Sequence, residues 1–187
     1  MTRRVIFPDP AIWTQRKDTM TDNYADNPRA GDARRASALT IHHRQGNMDG
    51  LVEIVRETCE NGRATELVLA ILEIHRSAIV QLRSEVGLDY LGRYVQQLAE
   101  GAASHEDSEK AGDIARAADL LGAHARGDVK AINKAMREAV AAGRPTELVT
   151  NLLNLYEVLL PELSSEPGIR WLRTCVGTFA NEEAGDL

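Results

Sequence analysis

Aromatic side chains make up only 4% of this 187-residue chain, and no stretch alternates β-branched with polar residues as a half-buried strand does. A sheet-based architecture is excluded, and an all-α one is expected. The two cysteines, Cys59 and Cys175, stand far apart, and neither has a second ligand at metal-binding spacing. Neither a disulfide framework nor a cysteine zinc site is therefore expected. Both lie on apolar faces of predicted helices and read as reduced core residues. No apolar run approaches the ~18 residues of a membrane span, and the start lacks the apolar stretch of a secretory signal. The expectation is a cytoplasmic protein without membrane attachment.

Positive charge is also scarce. Twenty-two Lys and Arg stand against 28 Asp and Glu, a net charge of -6, which opposes the phosphate neutralisation behind most nucleic-acid binding. Only the head is mildly basic, with Arg3, Arg4, Arg16 and Lys17 against Asp9 and Asp18. Residues 113–136 have the punctuation of a helix-turn-helix, but Lys130, Lys134 and Arg137 are the only cations on its second helix. Nucleic acid is not the expected partner.

The parts of an enzyme are missing as well. There is no Gly-rich phosphate loop, no Gly-x-Ser-x-Gly elbow and no clustered carboxylates. His43 and His124 close predicted helices without a second ligand at His-x-x-x-His or Glu-x-x-His spacing, so they read as dipole compensation rather than metal ligands. Arg56-Glu57 and Arg137-Glu138 are adjacent pairs whose members point about 100° apart on a helix, and they are expected to reach neighbouring helices. No catalytic residue, cofactor site or metal site is predicted.

What the chain does contain is a repeat. "GRATELV" (62–68) returns as "GRPTELV" (143–149), and residues 35–100 align with 116–181 without a gap, with 21 of 66 pairs identical. Chance at average composition gives roughly 4. Internal duplication at an 81-residue offset follows.

The repeated positions are helix punctuation. Gly46 and Gly127 precede the N-caps Asn47 and Asp128, and Gly62 and Gly143 suit the left-handed residue past a helix end. Thr65-Glu66 and Thr146-Glu147 suit a first turn, and Pro145 a first helical position.

Four helices per repeat follow from the apolar spacing. The first is striped by Ala36, Leu39, Thr40 and His43, or Ala117, Leu120, Leu121 and His124. The second carries Leu51, Ile54, Val55, Thr58 and Cys59, or Ile132, Ala135, Met136, Ala139 and Val140. The third, the most apolar, is predicted to be the central helix of each unit. Its second copy should end early or kink, because Pro161 replaces Val80. The fourth presents Leu91, Tyr94, Val95 and Leu98, or Leu172, Cys175, Val176 and Phe179. His75 is replaced by Tyr156, which fits a semi-buried aromatic position.

The predicted organisation is an irregular N-terminal arm (1–31), helical repeat 1 (32–100), a solvated linker (101–112) and helical repeat 2 (113–183). Eight main helices would pack with pseudo-two-fold symmetry. The arm has no counterpart in the second half, and Pro8 and Pro10 forbid a regular helix through "VIFPDPAIW". Its Phe7, Ile12 and Trp13 either fold back on the body or anchor a partner. Met20 is an alternative natural start. The expected function is a non-enzymatic interaction or regulatory protein that binds another protein, with Phe7, Ile12 and Trp13 as partner-binding residues and a homodimer left open. The alternatives are a DNA-binding transcriptional regulator or a helical protein that binds a metal or small molecule.

Overall fold

The computed structural model describes residues 30–103 and 109–185. The described residues form eight α-helices and no strand: α1 (Ala30–Arg44), α2 (Met48–Glu60), α3 (Ala64–Leu82), α4 (Glu85–Ala103), α5 (Glu109–Ala125), α6 (Val129–Ala141), α7 (Pro145–Leu159) and α8 (Glu166–Gly185). A short 3-10 helix, Pro161–Ser164, separates α7 from α8. Helix occupies both ends of the stretch read as linker, and α1 opens within the last residues read as arm.

The glycines punctuate as the repeat predicts. Gly46, Gly62 and Gly127 have φ of 68° and Gly143 of 69°, the left-handed region that a residue without Cβ enters at little cost. After α1, the Gly46 N–H donates to the His43 carbonyl (3.0 Å) and the Asn47 N–H to the His42 carbonyl (2.9 Å). This 5→2 and 6→1 pattern satisfies carbonyls at a helix end. The same pair of bonds recurs at Gly62, Gly127 and Gly143. Asn47 and Asp128 then cap α2 and α6 by accepting from the N–H groups of Gly50 and Ala131, each at 3.0 Å.

Two compact units divide the chain between Leu82 and Arg83 and again between Leu159 and Leu160. The first unit contains α1, α2, α3, the 3-10 helix and α8. Its α2, α3 and α8 all pack on α1, whose inner positions Ala36, Ser37, Leu39 and Thr40 are buried. The small side chains at three of these positions let neighbours approach closely. Leu51, Leu67, Ile71, Leu72 and Ile74 complete the core at 0–1% exposure, each contributing about 1.5–3 kcal/mol by burial. Ion pairs fasten the rim, Arg34 to Glu183 on α8 (2.7 Å) and Arg35 to Glu57 on α2 (3.5 Å).

The second unit contains α4, α5, α6 and α7, and α5 is the helix on which the other three pack. Ala117, Leu120, Ile132, Leu148, Leu152, Leu153 and Tyr156 are buried within it. In both units the central element is thus the first helix of the sequence repeat, not the third as its hydrophobicity suggests. The third helix is the more apolar, but the small-residue first helix has more neighbours. The units also cut across the sequence segments 32–100 and 113–183. α8 packs on α1, and α4 packs on α5.

Pro161 ends α7 as expected. Proline offers no N–H to continue the ladder, and it disfavours helical geometry in the residue before it. Leu160 has accordingly left helical geometry, with φ -134° and ψ 61°, while α3, with Val80 at the equivalent position, continues to Leu82.

Candidate functional site

The arginine inside each copy of the repeated heptapeptide closes a buried ion pair. Arg63 grips Asp32 with two bonds, Nε to Oδ1 at 3.0 Å and Nη2 to Oδ2 at 2.6 Å. Arg144 grips Asp113 likewise, Nε and Nη2 donating to Oδ2 at 2.9 and 2.6 Å. The two carboxylates are 1% and 2% exposed, and each clasp ties the start of one helix to the loop that opens another. The Asp113 carboxylate raises the Arg144 guanidinium further above its already high value. Arg35 and Arg116 stand beside the same two aspartates. Each bidentate pair serves as an internal fastening, since its carboxylate faces protein rather than solvent.

These aspartates were missed in the sequence although the signal was present. Gly31-Asp32 matches Gly112-Asp113 at the same 81-residue offset, with two residues between each pair and the compared segments.

His75 is fully buried in the first unit. Its Nδ1–H donates to the Ile71 carbonyl at 2.8 Å, and burial pushes its pKa down to about 3. Arg44 and His43 add positive potential nearby, so the ring is neutral. Its counterpart Tyr156 is also at 0% exposure, deeper than the semi-buried position expected. His43 and His124 close α1 and α5 as anticipated, and they belong to different units. Among the described residues, no group of three His, Cys, Asp or Glu could hold a metal ion.

The cysteines divide. Cys175 is buried, with its thiol pushed up to about 12 by desolvation, but Cys59 is exposed. The expectation of two core cysteines fails at Cys59 because Thr58 takes the inner position, its hydroxyl satisfied by the Ile54 carbonyl at 2.7 Å. Val140, the equivalent of Cys59 on α6, is 60% exposed for the same reason of register. Arg56 also departs from expectation. It bonds Glu53 and Glu60 on its own helix, and of its pair only Glu57 reaches a neighbour.

α4 carries an exposed surface that its counterpart α8 does not. On α8 the face formed by Leu172, Cys175 and Phe179 is buried, with Trp171 at 7%, beneath α1 and the 3-10 helix, whose Leu163 and preceding Leu160 are both at 0%. The α4 face expected to match it is only partly covered. Val95 is buried, but Leu91, Tyr94 and Leu98 are only half-buried. Tyr90 is 64% exposed and Val86 76%. Among the described residues, no short helix of its unit plays the part that the 3-10 helix plays against α8. Tyr90, Arg93, Tyr94 and Gln97, at i, i+3, i+4 and i+7, line a shallow depression of about 230 Å³. Such a surface can take up a side chain or a helix, but it encloses no substrate.

Phe7, Ile12 and Trp13, the residues expected to bind a partner, lie outside the described residues. Among those described, no helix is long and apolar enough to cross a membrane. No protein-family model, curated protein or solved structure matches the chain.

Proposed function

We propose that this chain is a non-enzymatic interaction protein that uses its helical body to bind another protein. The observation that carries the reading is the contrast between α8, where Trp171, Leu172, Cys175 and Phe179 are buried, and α4, where Tyr90 is exposed and Leu91, Tyr94 and Leu98 are half-buried. Tyrosines beside an arginine are among the residue types that dominate binding energy at protein interfaces. The arm contributes Phe7, Ile12 and Trp13 as further anchors.

We also infer that the body arose by tandem duplication. The recurrence at one offset of four left-handed glycines, two N-caps and two buried Asp–Arg clasps supports this, since each is a separate geometric requirement.

Pull-downs and thermal melts of the full chain and of a form beginning at Met20 test the role of the arm. Loss of a specific partner with the melting temperature unchanged supports anchoring. A lower melting temperature with every interaction retained means that the arm covers the body. Salt-dependent affinity for duplex DNA would favour the regulator alternative instead.

A further inference from the structure

We propose that α4 is a self-association surface, on which α4 of a second copy of this chain packs antiparallel. This goes beyond the partner reading above and does not depend on the arm. The outer stripe of α4 and the residue that leads into it runs Arg83, Val86, Tyr90, Arg93, Gln97 and Glu100. The spacing alternates three and four, the pattern by which one helix presents a continuous seam to another. Val86, Tyr90, Arg93, Gln97 and Glu100 are all exposed, and Arg83 is half-buried.

Charge along the seam selects both the occupant and its direction. Two copies in parallel would set Arg83 against Arg83, Arg93 against Arg93 and Glu100 against Glu100. Turned antiparallel about a two-fold axis between Tyr90 and Arg93, the same seam becomes self-complementary. Val86 then faces Gln97, and each Arg93 guanidinium lies on the opposing Tyr90 ring, a favourable cation–π arrangement. Arg83 and Glu100 meet at the ends of the seam but are already bonded within their own copy, Arg83 Nη2 to the Leu159 carbonyl and Gln96 Nε2 to the Glu100 carboxylate, each at 2.9 Å, so the central Asp89, Tyr90 and Arg93 carry the contact. Asp89 flanks the Tyr90 ring and offers the arriving Arg93 a carboxylate. Within one copy Asp89 and Arg93 are four residues apart, a spacing that permits pairing. The structure forms no bond between them and ties neither to another described residue. Both charges are therefore open to a second molecule.

A single seam of five turns spans roughly 28 Å, less than a standard interface occupies. The dimer is accordingly weak and concentration-dependent, with a dissociation constant on the order of 10 μM to 1 mM.

Sedimentation velocity of the full chain from ~1 μM to ~1 mM reads this directly. The expected result is a monomer–dimer equilibrium that Arg93→Glu weakens by roughly tenfold or more. The doubly exchanged Asp89→Arg/Arg93→Glu chain should recover most of the loss, because the opposing pair is restored with its signs reversed. Circular dichroism of both variants guards against misfolding, which their exposed positions make a small concern. A chain that stays monomeric throughout the range overturns the proposal. A dimer indifferent to Arg93→Glu places the interface elsewhere and also overturns it. A dimer weakened by the single change but not recovered by the exchange overturns the antiparallel register.

Discussion

A bidentate bond to a carboxylate that is 1% exposed makes Arg63 a side chain whose removal harms the first unit more than its own partial exposure suggests. Arg63→Met takes the bidentate partner from the buried Asp32 carboxylate, and the expected cost is about 3 kcal/mol. Removing both ends together, Asp32→Ala with Arg63→Met, should cost less than the single change, because the buried carboxylate goes with its partner. Urea midpoints of the three chains measure this. Additive losses would show that the pair does not act as a unit. His75 gives a prediction with a sign. Its folded pKa, about 3, lies below the ordinary 6.5, so between these values the unfolded chain binds a proton that the folded chain refuses. Stability therefore falls as pH drops through this window, by up to about 1.4 kcal/mol per pH unit from this group. Between pH 7 and pH 5 the natural chain should lose about 2 kcal/mol more than His75→Tyr, which installs the residue found at position 156. Equal losses would mean that His75 is protonated in the folded state.

At the scale of elements, the two fourth helices begin alike in sequence and differ in what they meet. A Cβ on Gly168 would collide with the Glu162 carbonyl oxygen and lie 2.6 Å from the Leu163 Cα, whereas one on Gly87 would find nothing nearer than the Ser84 hydroxyl at 3.5 Å. Gly168→Ala should therefore destabilise by about 1–3 kcal/mol, while Gly87→Ala should be neutral or stabilising by up to about 1 kcal/mol. Thermal melts of the two variants are the check, and equal effects would contradict the close seating of α8 on the 3-10 helix. Helix limits were legible in the sequence because Gly62 and Asn47, with their counterparts, and Pro161 act on the backbone within a few residues. Side-chain placement was less so. Thr58 and Cys59 fit the same apolar stripe, and only packing decides which turns inward. The exposed face of α4 was illegible for a related reason. Its pattern matches α8, and the difference lies in the 3-10 helix that Pro161 creates beside only one of them.

For the whole molecule, connectivity distinguishes the structure from the sequence reading. The repeat suggests that residues 32–100 and 113–183 each make a unit, but the helices that pack together are α4 with α5 and α1 with α8. Sequence similarity identifies which helices are alike and carries no information on which copy supplies the fourth helix, because both first helices offer the same small-residue face. The consequence for function is direct. α4 is an outer helix of the unit that α5 organises, and its open seam, on which both functional proposals draw, exists only in that arrangement. The most direct measurement compares two fragments, 83–159 and 32–100, by circular dichroism and thermal melting. The account predicts that 83–159, which contains all of α4 to α7, is helical and melts cooperatively, while 32–100, deprived of α8, does not. A cooperative 32–100 beside an unfolded 83–159 would place α4 on α1 and contradict the account.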